Sequence, residues 1–489
     1  MKQEMRWHDY ITINIFWLGI GVASGTITPI LLPYLVALFA PMELKNTYLG
    51  ALRVIGLAVA MLVQPMAGLL SDRNTSRWGR RRPYIFGGTL FNLLFLSVIG
   101  ASPLFIGSAL DDVTKPLLGV GAAYVVLVIG SALQQAAANV GHGALQGLIP
   151  DLVPEQQRGR ASGVKGVMEL MPIFFAVLIG PLVDAGKIWL TVGIIGASFL
   201  LTMLITVLTV HEEPLREKPT ENIRGRILRL IALTVIFVVV TQTAVWIVRT
   251  SGTQLAQRGV TAEVQVAVVG LAGLIGMAGS IFVGVYFGAW VGIGEEARQQ
   301  TPFIWWVINR LLFLAALNSI QGFAQFFLAD VLHIPNAATV TTQLLAVVGV
   351  FLMITVVSGG YLADRLGRRR LVAVSGLIAA GGTILLLFSA NIPLVLVSAS
   401  IIGIGAGIFW ASSWALGTDL APKAQAGRYL GISNLAGAGA GIVGAGIGGP
   451  MADFFNAIQP GLGYLVIFAL YAALFLLSVA ALTRVKVQP

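Results

Sequence analysis

Four polar side chains, Gln135, Asn139, His142 and Gln146, interrupt an apolar run at i, i+4, i+7 and i+11, which puts them on one stripe of a helix. Amides and an imidazole on one face both donate and accept hydrogen bonds, the chemistry needed to hold a polyhydroxyl solute. Hydrocarbon penalises such a face, so it must look into protein or water. The competing use of the stripe is hydrogen bonding between helices, worth ~0.6 kcal/mol per bond on average. A second face, Asn318, Gln321 and Gln325 at i, i+3 and i+7, carries the same two readings. Glu169 is the acid that falls clearly inside an apolar run; at ~1.5 Å per residue it sits ~13 Å from the level of Arg160. Lys165 lies one turn nearer Arg160 on the same face. This pair is either a coupling or solute-contacting site or a structural ion pair. Arg53 and Arg310 are further candidates for coupling or solute contact, though each lies close enough to a run's end to snorkel instead.

The elements that position these residues follow from composition. Hydrophobic residues make up 57% of the chain and charged ones 11%, with a mean hydropathy of +0.86. No soluble domain of this length tolerates that surface, so the class is an all-α polytopic membrane protein. The net charge of +10 sits mostly in loops between apolar runs, which points to anionic lipid headgroups as partners and not to nucleic acid. The absence of cysteine excludes disulfides and thiolate chemistry. No metal cluster, nucleotide loop or catalytic triad stands out, and GIGEEA (292–297) lacks the strand and helix that a phosphate site requires. The expectation is a non-enzyme without cofactor or metal.

With ~20 apolar residues per crossing, the chain gives spans near 11–39, 48–70, 84–105, 117–150, 161–183 and 188–209, then 303–332, 338–362, 371–391, 393–418, 429–452 and 462–483. Two more candidates, 227–248 and 263–291, lie between these sets of six, giving 14 spans and three regions: 1–210, 211–302 and 303–489. The start, MKQEMRWHDY, leads into a span-length run without a cleavage signal and reads as a retained first helix. Placing both termini and the arginine-rich loops on one side collects 23 of the 31 lysines and arginines there, against five on the other side. The positive-inside rule then makes that side cytoplasmic, in a plasma (inner) membrane.

The halves repeat. GLLSDRNTSRWGRRRPYIFGG (68–88) is echoed by GYLADRLGRRRLVAVSG (360–376), and DLVPEQQRGR (151–160) by DLAPKAQAGR (419–428) at an offset of 268. Parallel repeats of this kind suit a transporter with its site between the halves. The same offset turns the polar stripe into Gly403, Gly407, Trp410 and Trp414. Two indoles facing amides suit a sugar, whose C–H faces stack on aromatic rings, though Trp414 is close enough to Asp419 to be an interfacial anchor instead. Asp72, Arg73, Arg80, Asp151 and Arg160 in the first half, with Asp364, Arg365, Arg368, Asp419 and Arg428 in the second, read as a conformational latch. The alternative for these charges is a topology signal alone.

On these paired loops the chain resembles the major facilitator superfamily over essentially its whole length apart from the two inserted spans. QPMAGLLSDRNTSRWGRRRPYI (64–85) is similar to the loop of the sucrose/proton symporters, neighbours of the glycoside–pentoside–hexuronide permeases. The resemblance implies a twelve-helix core, alternating access by rocking of two six-helix bundles, and a saccharide or glycoside substrate. It also implies that the fourth span lines the pathway. Gln64 stands where melibiose-type permeases carry an Asp, and Gln135 and Gln146 stand where the sucrose symporters carry a proton-coupling Asp and an Arg. The expected function is secondary active or facilitative transport of a small polar organic solute by a monomer, with a coupling proton or cation as a further partner. The rivals are a 14-span drug/proton antiporter and a non-transporting sensor or scaffold on the same fold.

Overall fold

A backbone N–H or C=O left open in hydrocarbon is expensive, and a helix pairs nearly all of them within one segment, so each apolar run closes into a helix. The computed structural model describes residues 5–215, 223–295, 300–421 and 426–485, apart from the side chains of 292–293, 364 and 426–436. Among the described residues there is no strand, and 13 helices are long and apolar enough to cross a membrane.

In chain order the first set is α1 (Trp7–Phe39), α2 (Lys45–Ser71), α3 (Arg82–Phe105), α4 (Ala122–Leu145), α5 (Glu155–Asp184) and α6 (Ile188–Thr209). The inserted pair is α7 (Arg224–Gln257) and α8 (Ala262–Ile293). The second set is α9 (Thr301–Asp330), α10 (Ala337–Leu366), α11 (Arg368–Leu387), α12 (Ile392–Leu420), α13 (Ala426–Ile458) and α14 (Leu462–Ala481). The run expected over 117–150 is divided: a short helix, Asp111–Leu118, ends at Gly119 in the left-handed region (φ 71°), and α4 starts only at Ala122. Lys115 beside Asp111, at 2.8 Å, and the Ala122 N–H, at 2.7 Å, hold the Asp111 carboxyl below the usual carboxylate range and fasten this connection.

The chain forms two compact units, Met1–Ala40 with Val59–Leu228, and Pro41–Ala58 with Arg229–Pro489. In the first, α1 packs along α5 and α6, and α3 along α4 and α6. In the second, α12 packs along α10 and α11, α14 along α9, α11 and α13, and the inserted α8 along α13 and α9. The first half of α2 therefore groups with the second unit. Small residues make such contacts close. A Cβ on Gly143 of α4 would stand 2.2 Å from the Gln64 carbonyl oxygen, and one on Gly407 of α12 would stand 2.5 Å from that of Leu352.

Two local features follow from single residues. Within α1, Ile27–Leu31 forms a wide turn of π type, closed by the Leu32 N–H donating to the Ile27 carbonyl. Pro29 sits in it: proline has no N–H to give and its ring crowds the carbonyl four residues back, and a wider turn relieves both. At the arginine-rich loops, Gly79 (φ 102°) and Gly367 (φ 89°) both take a positive φ just before their three arginines, which glycine adopts without a Cβ penalty, so the sequence echo extends to the sign of the backbone angle.

Candidate functional site

In the first unit, α4 carries the polar stripe past α1 and α5. His142 meets the Trp17 ring edge to face at 5.1 Å between centroids, and its Nε2 lies 3.5 Å from Gln146 Nε2. The other face of the contact is basic: Lys165 Nζ stands 4.1 Å over the Trp17 ring and 3.3 Å from Glu169. A continuous series from Gln146 through His142, Trp17 and Lys165 to Glu169 results. Asn139 is buried and spends one donor on the Gln135 carbonyl of its own helix, at 2.8 Å. Gln135 and His142 are half-buried and Gln146 is exposed. The helix-to-helix amide bond falls one residue from the stripe, where buried Gln134 donates to Asn92 of α3 at 2.8 Å. Trp17 gave no signal in the sequence, being one aromatic in an apolar run.

In the second unit the corresponding cluster is aromatic and cationic. Arg310 of α9 lies 5.9 Å from the ring centroid of Trp306, 5.4 Å from that of Trp410 and 5.0 Å from that of Trp414. Trp306 is fully buried and donates through Nε1 to the Ser413 carbonyl at 2.9 Å, whereas Trp410 is 43% exposed. Arg310 is 3% exposed and does not snorkel; its guanidinium carbon is held among the indoles. A guanidinium over three rings gains about 0.5–2 kcal/mol per ring, which offsets part of the several kcal/mol of desolvation that an unpaired buried cation incurs. Its Nε and Nη1 find no hydrogen-bond acceptor.

The second amide face is not brought to one surface. Asn318 is half-buried and its carbonyl accepts from Arg53 Nη2 at 2.9 Å. Arg53, from the first half of α2, is 8% exposed and fills the space over Gly322, where a Cβ would stand 1.4 Å from Nη1. Gln321 lines a mostly apolar cavity of about 60 Å³ with Leu317, Thr341, Leu344 and Phe468. Gln325 is buried.

At the arginine-rich end of the first unit, Asp151 accepts from Arg80 at 2.9 Å and from Arg81 Nε at 3.0 Å, and Arg81 also binds Asp72 and, at 2.7 Å, the Ser71 hydroxyl. Glu212 completes the junction by accepting from the Arg81 and Arg82 N–H groups at the start of α3 (2.9 and 3.1 Å), where a helix favours negative charge. In the second unit Arg368 pairs with Asp419 at 2.6 Å, the counterpart of Arg80 with Asp151. Arg365 lies over the Tyr361 ring instead, at 4.3 Å. Arg160 is exposed with no ion pair among the described residues, and Arg73 is half-buried. The side chains of Asp364 and Arg428 lie outside the described residues.

At the opposite end of the second unit, Asp453 of α13 is buried at the first turn of α2, accepting from Asn46 N (3.2 Å), Asn46 Nδ2 (2.8 Å) and Thr47 N (2.6 Å). Lys45 pairs with Asp330 at 2.6 Å, and the Tyr464 hydroxyl donates to Asp330 while accepting from Asn46.

Membrane-length helices in two units, with matching arginine–aspartate pairs, define a polytopic membrane protein built on an internal duplication. The chain belongs to the Major Facilitator Superfamily, whose sequence profile matches residues 18–445 and 311–489. It is 40% identical to the sucrose transport protein SUT1 of Oryza sativa subsp. japonica over 114 residues, 22% of this chain and 21% of that one. It is 28% identical to the general alpha-glucoside permease of Schizosaccharomyces pombe over 221 residues, 43% of this chain and 38% of that one. The chain thus spans between about a fifth and two-fifths of the length of these relatives. Among solved structures, that of a D-xylose-proton symporter superposes with a TM-score of 0.62 at 16% identity, covering 99% of this chain and 98% of that one. These last similarities are of fold.

Proposed function

We propose that the protein moves a small polar organic solute, a saccharide or glycoside, across the membrane by alternating access, as a transporter and not an enzyme. The observation that carries this is the indole pair on α12: Trp410 and Trp414 sit one turn apart, Trp410 is 43% exposed, and such faces suit the C–H side of a sugar ring. The half-buried and exposed amides and imidazole of Gln135, His142 and Gln146 supply donors and acceptors for hydroxyls. The names of the sequence relatives, a sucrose transport protein and an alpha-glucoside permease, support the same substrate class.

Counting α13, the chain crosses the membrane fourteen times, with both termini and the arginine-rich loops on the cytoplasmic side of the plasma membrane, and it works as a monomer in the lipid bilayer. The pairs of Asp151 with Arg80 and of Asp419 with Arg368 serve as latches that tie helix ends together at that side within each unit. The test is flux in proteoliposomes. Saturable uptake of a labelled saccharide, competed by the unlabelled sugar, is the expected result. Loss of a loaded dye without sugar uptake would make the protein an antiporter of drugs, and no flux of any solute would make it a scaffold.

Coupling falls to the Glu169–Lys165 pair. The Glu169 side chain is 42% exposed and Lys165 is 31% exposed, so the pair is not sealed inside the protein, as a group that exchanges a proton requires. Glu169→Gln is expected to abolish accumulation of sugar against its gradient while leaving exchange of labelled for unlabelled sugar intact. Unchanged accumulation would assign the pair to structure.

A further inference from the structure

Arg310 is a cation in want of an anion. It lies nine residues into α9, ~13 Å along the helix at ~1.5 Å per residue, and therefore deep within the membrane-spanning part. Burial leaves it 3% exposed, three indoles surround it, and its Nε and Nη1 meet no acceptor. No acidic side chain pairs with it among the described residues, whereas Lys45, Arg80, Arg81 and Arg368 all have carboxylate partners. A guanidinium presents a planar fork of donors that matches a carboxylate with two parallel bonds, and the match is stronger than one to neutral hydroxyls. The rings complete the recognition: Trp410 and Trp414 flank the fork, and Trp410 is open enough for a guest to reach it.

We propose that Arg310, Trp410 and Trp414 form a subsite for a carboxylate-bearing saccharide, the acid group on Arg310 and the sugar ring against the indoles. This rests on the saccharide reading above and narrows it to sugar acids. Arg310 is then the residue that sets specificity for charge, and the counter-ion that the described residues do not supply arrives with the solute.

The test is ligand-induced thermal stabilisation of the full purified chain at pH 7, with D-glucuronate and its neutral counterpart D-glucose as probes. Glucuronate is expected to raise the melting temperature at a concentration at least tenfold below that required of glucose. Arg310→Gln is expected to erase that difference, and Arg310→Lys, which keeps the charge but not the fork, to retain part of it. Should Arg310→Gln fail to fold, the wild-type comparison and the lysine variant still decide. Equal stabilisation by both probes, or stabilisation by glucose alone, overturns the acid subsite while leaving the saccharide reading in place. Stabilisation by neither, together with absence of saccharide uptake in proteoliposomes, overturns both.

Discussion

Asp453→Ala is expected to destabilise the second unit by about 3 kcal/mol or more, because it strips three bonds from the start of α2 and leaves buried donors without an acceptor. The first four N–H groups of any helix have no partner within it, and this end of α2 is satisfied by a carboxylate from α13. The partial positive charge at a helix N-terminus adds to the loss. Asp453→Asn keeps an acceptor oxygen and is expected to forfeit less than half as much. The measurement is the midpoint of unfolding in a denaturing-detergent titration. An alanine variant as stable as the wild type would mean that Asn46 and Thr47 find other acceptors.

The second large effect concerns binding. On the saccharide function proposed above, the double variant Trp410→Ala, Trp414→Ala is expected to raise KM for sugar uptake between tenfold and a hundredfold, about 1.4 kcal/mol for each factor of ten. Two origins contribute: the ring loses its stacking surface, and Arg310 loses two of the three indoles that fix its fork. Trp410 is 43% exposed, so its truncation leaves no sealed void. The check is initial-rate uptake across a range of sugar concentrations, with expression and melting temperature as controls. An unchanged KM with a lowered melting temperature would turn the pair into packing.

Much of the fold was legible because hydrocarbon imposes few solutions. The apolar runs became helices, and the echo of GRRR and DLxP became two equivalent ion pairs, each beside a glycine of positive φ. The site was legible only in part. A stripe such as Gln135 to Gln146 shows a polar face but not which amide bonds to a neighbouring helix, and that partner is Gln134 with Asn92. Arg310 reads from its position near a run's end as a snorkelling residue; its burial follows from three tryptophans, one of them on its own helix and two a hundred residues away, whose convergence no local pattern shows. Trp17 and Glu212 were silent for the same reason: one is an aromatic among apolar residues and the other an acid in a charged loop.

The wide turn at Ile27–Leu31 has a bearing on how this chain is compared with others. A π-type turn amounts to one extra residue threaded into an α-helix, so it rotates everything after it by roughly 100° relative to a regular continuation. A homologue lacking Pro29 has no need of the surplus residue, and a pairwise superposition of first helices should then carry a single-residue gap between positions 27 and 31, with Leu35 and Val36 matched one place out of step if the gap is omitted.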